Sequence, residues 1–159
     1  SNRLCCCLIV RARIRKMNFW DSSCVLPLIT CEESSDEALS ALKADSVMIL
    51  WWATPIECVS ALSRKEREGV ITERDVNESI KKLKIIEANN ILVEPSSHLR
   101  RLSERLLRLH DLRAADALQL AAANIIIEQG MQTVKFISND KRLLVAASKE
   151  GFDVLSFIT

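Results

Sequence analysis

The residues of this sequence that could do chemistry are four carboxylates spaced far apart along the chain. Each stands where an apolar run ends or a predicted helix begins: Asp21, Glu57, Asp116 and Asp140. In a parallel sheet the strand ends and the following helix starts meet at one edge, where α/β folds place their sites. Carboxylates gathered there repel one another, and a divalent cation is the simplest compensation. The four acids therefore predict a metal site, and oxygen ligands favour Mg²⁺ or Mn²⁺.

Each of these acids also has a purely structural explanation. Glu57 lies three residues after Thr54, which is the spacing of a capping box. Asp140 could cap the next helix, Asp21 could stabilise a turn, and Asp116 lies in a first turn where the helix dipole favours negative charge. Asp116 is the most informative, because its helix is apolar on nearly every side and a lone buried carboxylate is costly. The joint placement of the four acids favours a site over four separate caps.

Neighbouring polar residues extend the candidate site. Four of them flank the acids and could hydrogen-bond to them or to a substrate, although capping or solvation explains each equally: Ser22, Thr54, Arg113 and Asn139. Basic residues could flank a nucleic-acid path or simply form the wet faces of helices: Arg64, Lys65, Arg67, Arg100, Arg101, Arg105 and Arg108. Neither His98 nor His110 belongs to a zinc-binding motif, so the sequence gives little support for zinc.

Short apolar runs alternate with longer amphipathic segments along the chain. Strands are predicted at 17–20, 47–52, 91–93, 134–137 and 154–157. Helices are predicted from about Pro55, after a Thr54 cap, to Gly69, and then over 72–87, 99–109, 113–130 and 140–150. This alternation predicts an α/β protein with a parallel sheet covered on both faces, in three α/β/α layers.

Composition limits the class of protein. With 159 residues and 48% hydrophobic residues the chain is the size of one domain with one sizeable core. A formal charge of +1 gives no strong global field, so any nucleic-acid affinity must be local. The six cysteines show neither CxxC nor finger-like spacing, which favours reduced thiols in a cytoplasmic protein.

The first sixteen residues differ from the rest. Their apolar run, Leu4 to Val10, is much shorter than the roughly 20 residues that span a bilayer, and the arginines follow it rather than precede it. We interpret residues 1–16 as a leader or upstream sequence and residues 17–159 as the domain. Alternatively, Cys5 to Val10 adds an edge strand or an acylated anchor.

At this point the sequence resembles the PIN-domain ribonucleases of the VapC toxin type, from Met17 to nearly the end of the chain. Four stretches carry the resemblance, in the order of the family's acidic segments: FWDSSCVLPLI, TPIECVSAL, LRAADALQLAAA and FISNDKRLLVAA. The third is the most specific of them. By this match Asp21, Glu57, Asp116 and Asp140 correspond to the metal-binding acids of the family.

The resemblance implies a Mg²⁺- or Mn²⁺-dependent endoribonuclease with a five-stranded parallel sheet. It also implies a homodimer with an RNA substrate and a small VapB-like antitoxin as partner. The cysteine usage and the short apolar run predict a cytoplasmic protein with no membrane association. Two features depart from the family: the cysteine-rich leader, and the tandem Trp51 and Trp52, which could stack on RNA bases or belong to the core or a dimer contact.

A second class of function stays open at this stage. The chain could be a catalytically inert PIN-like scaffold that binds a partner protein or RNA. The presence of all four acids argues against this, and binding of a divalent ion would discriminate between the two. A phosphate-receiver domain is a poorer fit, because serines rather than a second acid follow Asp21.

Overall fold

The computed structural model describes residues 17–45, 47–131 and 133–158, so the interpretations of residues 1–16 lie outside the described residues. Five strands are present in this part of the chain: β1 (Asn18–Trp20), β2 (Met48–Trp51), β3 (Ile91–Val93), β4 (Lys135–Ile137) and β5 (Asp153–Leu155). Seven helices connect them: α1 (Ser22–Ile29), α2 (Ser35–Ala44), α3 (Thr54–Arg67), α4 (Glu73–Asn89), α5 (Ser97–Leu109), α6 (Ala114–Glu128) and α7 (Lys141–Lys149). No helix in the described ranges is long and apolar enough to cross a membrane.

The strands form one parallel sheet in the order β3-β2-β1-β4-β5. The central strand β1 pairs with β2 on one side, through Phe19 and Ile49, and with β4 on the other, through Trp20 and Ile137. All five carboxyl ends therefore lie at one edge, and the chain changes direction across the sheet between β1 and β4. The predicted five-stranded parallel sheet is confirmed.

Alternating side chains of the strands build a core on each face of the sheet. Phe19 and Ile49 point to the face covered by α5, α6 and α7, where Leu106 is fully buried. Trp20 and Leu50 point to the opposite face, which α1 to α4 cover. Buried positions on both faces explain why the strands read as continuous apolar runs, and they confirm the three-layer α/β/α class.

Local signals begin and end the helices where the sequence indicates. Thr72 caps α4 by accepting from the Asp75 N–H at 3.2 Å, while the Asp75 carboxylate accepts from the Thr72 N–H at 2.9 Å. After α3 the chain turns through Gly69 at φ 72°, a left-handed conformation that a side chain would strain. The predicted helix end at Gly69 is thus close to the observed one.

Three details of the sequence-based assignment were wrong. Helices α1 and α2 were not predicted: α1 is apolar after its first two serines and contains Pro27, and the short segment that forms α2 was left unassigned. Thr54 is the first residue of α3, the cap position is Ala53, and no side chain caps the helix. The last strand begins one residue earlier than predicted and ends at Leu155, because its register is set by pairing with β4.

Candidate functional site

Asp21 lies directly after β1 and is almost completely buried. Its N–H donates to the Ile137 carbonyl at 2.9 Å, which fixes the end of β1 against β4. Its Oδ2 accepts from the hydroxyls of Ser23 at 2.6 Å and Ser138 at 3.0 Å. Burial raises the pKa of Asp21 even though these hydrogen bonds act to lower it. The carboxylate is therefore held in one orientation by neutral donors.

Glu57 lies on the first turn of α3 and reaches across to two other helices. Its Oε2 accepts from Ser22 Oγ of α1 at 2.8 Å and from Gln119 Nε2 of α6 at 3.1 Å. Burial raises the pKa of Glu57, and the negative charges of Asp21 and Asp116 add to that effect. The capping-box explanation of Glu57 is wrong, because its side chain bonds to neighbouring helices rather than to the start of its own.

Asp116 and Asp140 both combine a capping role with a place near the other acids. Asp116 Oδ2 accepts from the Arg113 N–H at 3.2 Å, and Asp140 Oδ1 accepts from the Arg142 N–H at 2.9 Å and the Leu143 N–H at 3.2 Å. The apolar helix around Asp116 predicted that this residue would be buried. In the structure it is only half-buried. Partial burial and the Asp140 charge raise its pKa, while Arg113 and Arg142 act to lower it.

The four acids lie in one electrostatic neighbourhood, which we call the acidic edge. The charges of Asp21 and Asp116 act on Glu57, and the charge of Asp140 acts on Asp116. The side chains do not form a ready set of ligands: within the described ranges, no three carboxylate, imidazole or thiol groups are grouped so that they could hold a metal ion. The fold thus brings the acids into the same region without closing them around a centre.

The donor chemistry of the acidic edge fits a divalent cation. All four candidate ligands are carboxylates, and the direct hydrogen bonds described above fall on only one oxygen of each. No cation is among the groups that shift the pKa of Asp21 or Glu57. Gln119 Oε1, buried beside Glu57, has no donor among the described residues and could accept from a water molecule. Oxygen ligands with excess negative charge suit Mg²⁺ or Mn²⁺.

The flanking residues named from the sequence have different positions. Ser22 contacts Glu57 directly, and Thr54 Oγ1 accepts from Gln119 Nε2 at 3.0 Å. Asn139 instead ties the loop after β4 to the end of the chain, because its Oδ1 accepts from the Phe157 N–H at 2.9 Å. Arg113 is exposed at the start of α6. Two of the four residues therefore belong to the hydrogen-bond network around Glu57.

The sequence analysis missed three residues that hydrogen-bond to the acids: Ser23, Ser138 and Gln119. Ser23 and Ser138 hold Asp21, and Gln119 holds Glu57. Gln119 carried a usable signal, because it is the polar residue inside the apolar run LQLAAA, one helical turn after Asp116. Ser138 had a weaker one, as the first residue after a buried strand.

The tandem tryptophans have opposite environments. Trp51, the last residue of β2, is 4% exposed and packs in the core beneath α5 to α7. Trp52 is 45% exposed, and its ring meets that of Trp51 edge-on with centroids 6.5 Å apart. A place in the core is therefore confirmed for Trp51 and wrong for Trp52, for which a dimer contact or stacking on RNA stays a prediction.

The fold is shared with several solved structures. A chain of a toxin–antitoxin complex from Klebsiella pneumoniae superposes with a TM-score of 0.61 at 13% identity, covering 89% of this chain and 98% of that one. PAE2754 from Pyrobaculum aerophilum gives 0.62 at 16% identity, with 91% of each chain covered. FitAcB from Neisseria gonorrhoeae gives 0.61 at 11% identity, covering 89% of this chain and 97% of that one.

The sequence matches no protein-family model and no curated protein. At identities of 11% to 16% the structural matches establish the fold, and this agrees with the fold implied by the resemblance to PIN-domain proteins. Their coverage also shows that the described domain spans nearly the full length of these chains. Activity has to be argued from the acidic edge itself.

Proposed function

We propose that this protein is a Mg²⁺- or Mn²⁺-dependent endoribonuclease and the toxin of a toxin–antitoxin pair. The observation that carries the proposal is the gathering of Asp21, Glu57, Asp116 and Asp140, from four separate segments, at the carboxyl edge of a parallel sheet. The proposal is supported by the fold, which is that of chains from toxin–antitoxin complexes. It is also supported by the four acidic segments in the order of the VapC-type family.

In this proposal Asp21, Glu57 and Asp116 hold the ion directly or through water, and Asp140 completes the shell or holds a second ion. The bound ion supplies charge stabilisation and an activated water for attack on a phosphodiester. Because the acids do not form a ready ligand set, water molecules would have to bridge some of them to the ion. The raised pKa values of Asp21, Glu57 and Asp116 are those of carboxylates that lack such a partner.

The surrounding neutral residues orient the acids for this role. The Ser23 and Ser138 hydroxyls hold Oδ2 of Asp21, and Ser22 and Gln119 hold Oε2 of Glu57. Neutral donors fix the orientation of a carboxylate without cancelling its charge, which remains available to the ion.

The direct test is RNA cleavage by the purified, antitoxin-free protein with Mn²⁺, with Mg²⁺ and with chelator. Asp116→Asn should abolish cleavage with the fold intact, since it removes a charged ligand and keeps the size of the side chain. Asp153→Asn, at an exposed acid at the amino end of β5 and so away from the acidic edge, is the matched control and should cleave like the wild type. Unchanged metal-dependent cleavage by a folded Asp116→Asn protein would disprove the site.

A catalytically inert PIN-like scaffold that binds RNA or a partner protein is the second candidate. The observation that favours it is the lack of a ready ligand group among the described residues. Calorimetric titration with Mn²⁺ separates the two functions, because a nuclease binds the ion at the acidic edge and loses that binding in Asp116→Asn. A scaffold would show no such difference.

The antitoxin and the homodimer need their own tests. Co-expression with the product of a small neighbouring open reading frame should restore growth that the toxin alone arrests. Light scattering of the purified protein should give twice the mass of one chain. A protein that is harmless on expression, or that is a monomer at all concentrations, contradicts the corresponding part of the proposal.

A further inference from the structure

A groove between α1 and α3 opens beside Glu57: Ser22, Ser23 and Glu57 at one end belong to the site described above, and the rest of its lining has had no role so far. Its volume is about 430 Å³, and its lining is formed by Ser22, Ser23, Leu26, Ile56, Glu57, Ser60, Ala61 and Arg64. Both helices start at the acidic edge, so the groove leads away from the carboxylates along the surface of the domain. We call it the α1–α3 groove.

The α3 wall carries opposite charges at its two ends. Glu57, Ser60 and Arg64 follow one another at three- and four-residue spacings, so they share one face of the helix. At 1.5 Å of rise per residue, Arg64 lies about 10 Å along the helix axis from Glu57. The groove therefore begins at the acidic edge and ends at a guanidinium.

Arg64 is available for an anionic ligand. It is exposed and forms no ion pair with any described residue, whereas the next residue, Lys65, pairs with Glu32 at 2.5 Å. Among the residues that line the groove it is the one cation. A guanidinium matches a phosphate through two parallel hydrogen bonds, so its chemistry suits a phosphodiester strand.

The middle of the groove suits a nucleobase. Leu26 of α1 and Ile56 of α3 provide apolar surface, and Ile56 is 59% exposed although it is large and aliphatic. Apolar side chains can cover the face of an unstacked base, and serine hydroxyls can reach its polar edge. Ser60 lies between these apolar residues and Arg64 and supplies such a hydroxyl.

We propose that the α1–α3 groove binds the nucleotide of a single-stranded RNA that lies next to the one at the acidic edge. Its base contacts Leu26 and Ile56, and its phosphate contacts Arg64. This assignment rests on the proposed function for the identity of the strand. It adds a specificity-determining subsite, with Arg64 as a positioning residue that lies outside the carboxylate set.

The test is binding of a fluorescein-labelled single-stranded RNA by the whole chain, measured by anisotropy in chelator at several salt concentrations. Arg64→Gln should weaken binding about tenfold at low salt, since it removes one charge-assisted phosphate contact. The slope of log K against log[salt] should become shallower by about 0.7, the value for one phosphate of a single strand. Arg74→Gln removes the same charge from the exposed surface of α4, outside the groove, and should change neither quantity.

The base contact is tested with a second variant. Ile56→Ala should weaken binding of the RNA several-fold but leave binding of the same strand with abasic positions unchanged. An equal loss on both strands would contradict the base contact. Wild-type affinity in Arg64→Gln, an equal loss in Arg74→Gln, or no RNA binding by the wild type would each overturn the groove assignment.

Failure of this proposal and failure of the nuclease proposal are distinguishable, because the binding assay uses neither metal nor cleavage. Cleavage by a protein whose Arg64→Gln variant binds RNA normally would leave the nuclease in place and remove the groove. RNA binding that depends on Arg64 in a protein that never cleaves would keep the groove and favour the scaffold function.

Discussion

Gln119 of α6 donates from Nε2 to Oε2 of Glu57 on α3 across 3.1 Å, and so connects helices on opposite faces of the sheet at the acidic edge. The same Nε2 donates to Thr54 Oγ1 at 3.0 Å, and Gln119 is 1% exposed. A buried amide with two acceptors from the start of α3 fixes that helix start relative to α6. Glu57 therefore receives its orientation from a residue 62 positions later in the chain.

Replacing this amide should weaken the site without unfolding the domain. We expect Gln119→Leu to lower Mn²⁺ affinity about 10- to 100-fold, the usual effect of losing a residue that orients a metal ligand. Calorimetric titration measures the affinity, and circular dichroism checks the fold. Gln129→Leu, at the exposed end of the same helix, is the control. Equal Mn²⁺ affinity in Gln119→Leu and the wild type would show that the hydrogen bond does not serve the site.

The raised pKa of Glu57 leads to a prediction about stability and pH. Because the pKa is higher in the folded than in the unfolded protein, the ionised carboxylate destabilises the fold at neutral pH. The free energy of unfolding should rise as the pH falls through the raised pKa, since the folded state takes up the proton first. Glu57→Gln should therefore melt a few degrees higher than the wild type at pH 7 without metal, corresponding to about 1 kcal/mol.

This difference should shrink on acidification, when Glu57 of the wild type becomes neutral as well. Adding Mg²⁺ should raise the melting temperature of the wild type more than that of Glu57→Gln. Glu33→Gln, at an exposed acid before α2, should melt like the wild type under all these conditions. A Glu57→Gln protein that is less stable than the wild type at pH 7 would show that its hydrogen bonds outweigh the buried charge.

The two adjacent tryptophans should differ sharply in their contribution to stability. Trp51→Ala removes a large side chain that is 4% exposed and should lower the free energy of unfolding by about 3–5 kcal/mol. Trp52→Ala, at a side chain that is 45% exposed, should cost less than about 1 kcal/mol. Urea denaturation of both variants measures the difference. Equal losses would mean that Trp52 is also part of a buried contact, such as a dimer interface.

The described cysteines should differ in reactivity. Burial raises the pKa of Cys58 to about 12 and that of Cys24 still further, with nearby carboxylate charge adding to both, whereas Cys31 is exposed. The thiolate is the reactive form, so iodoacetamide at pH 8 should modify Cys31 and spare the other two in the native protein. Peptide mass spectrometry reads the sites, and the same reaction in denaturant should modify all three. Rapid modification of Cys58 in the native state would indicate that the interior beside Glu57 opens.

The sequence by itself determined the strands, the order of most helices and the carboxylate side chains of the acidic edge. Parallel strands buried on both faces, such as Met48–Trp51, have to be apolar runs, and their carboxyl ends have to share an edge. That geometry is enough to bring Asp21, Glu57 and Asp140 towards one place, which is why four distant acids could be interpreted together. Helices α1 and α2 were missed: α1 is a mostly apolar helix with an internal proline and lacks the period on which the prediction depends, and the short segment of α2 was left unassigned.

The tertiary structure alone decided how each acid is held. The partners of Glu57 are Ser22 and Gln119, which lie 35 and 62 residues away, and no local pattern could distinguish this arrangement from a capping box. The exposure of Trp52 beside the buried Trp51 likewise depends on the tertiary structure: Trp51 ends β2 inside the core, whereas Trp52 stands in the turn that follows the strand. Hydrogen bonds and burial of this kind depend on long-range packing, so only the tertiary structure decides them. Periodicity and the order of the strands along the chain depend on neighbouring residues, so the sequence predicts them.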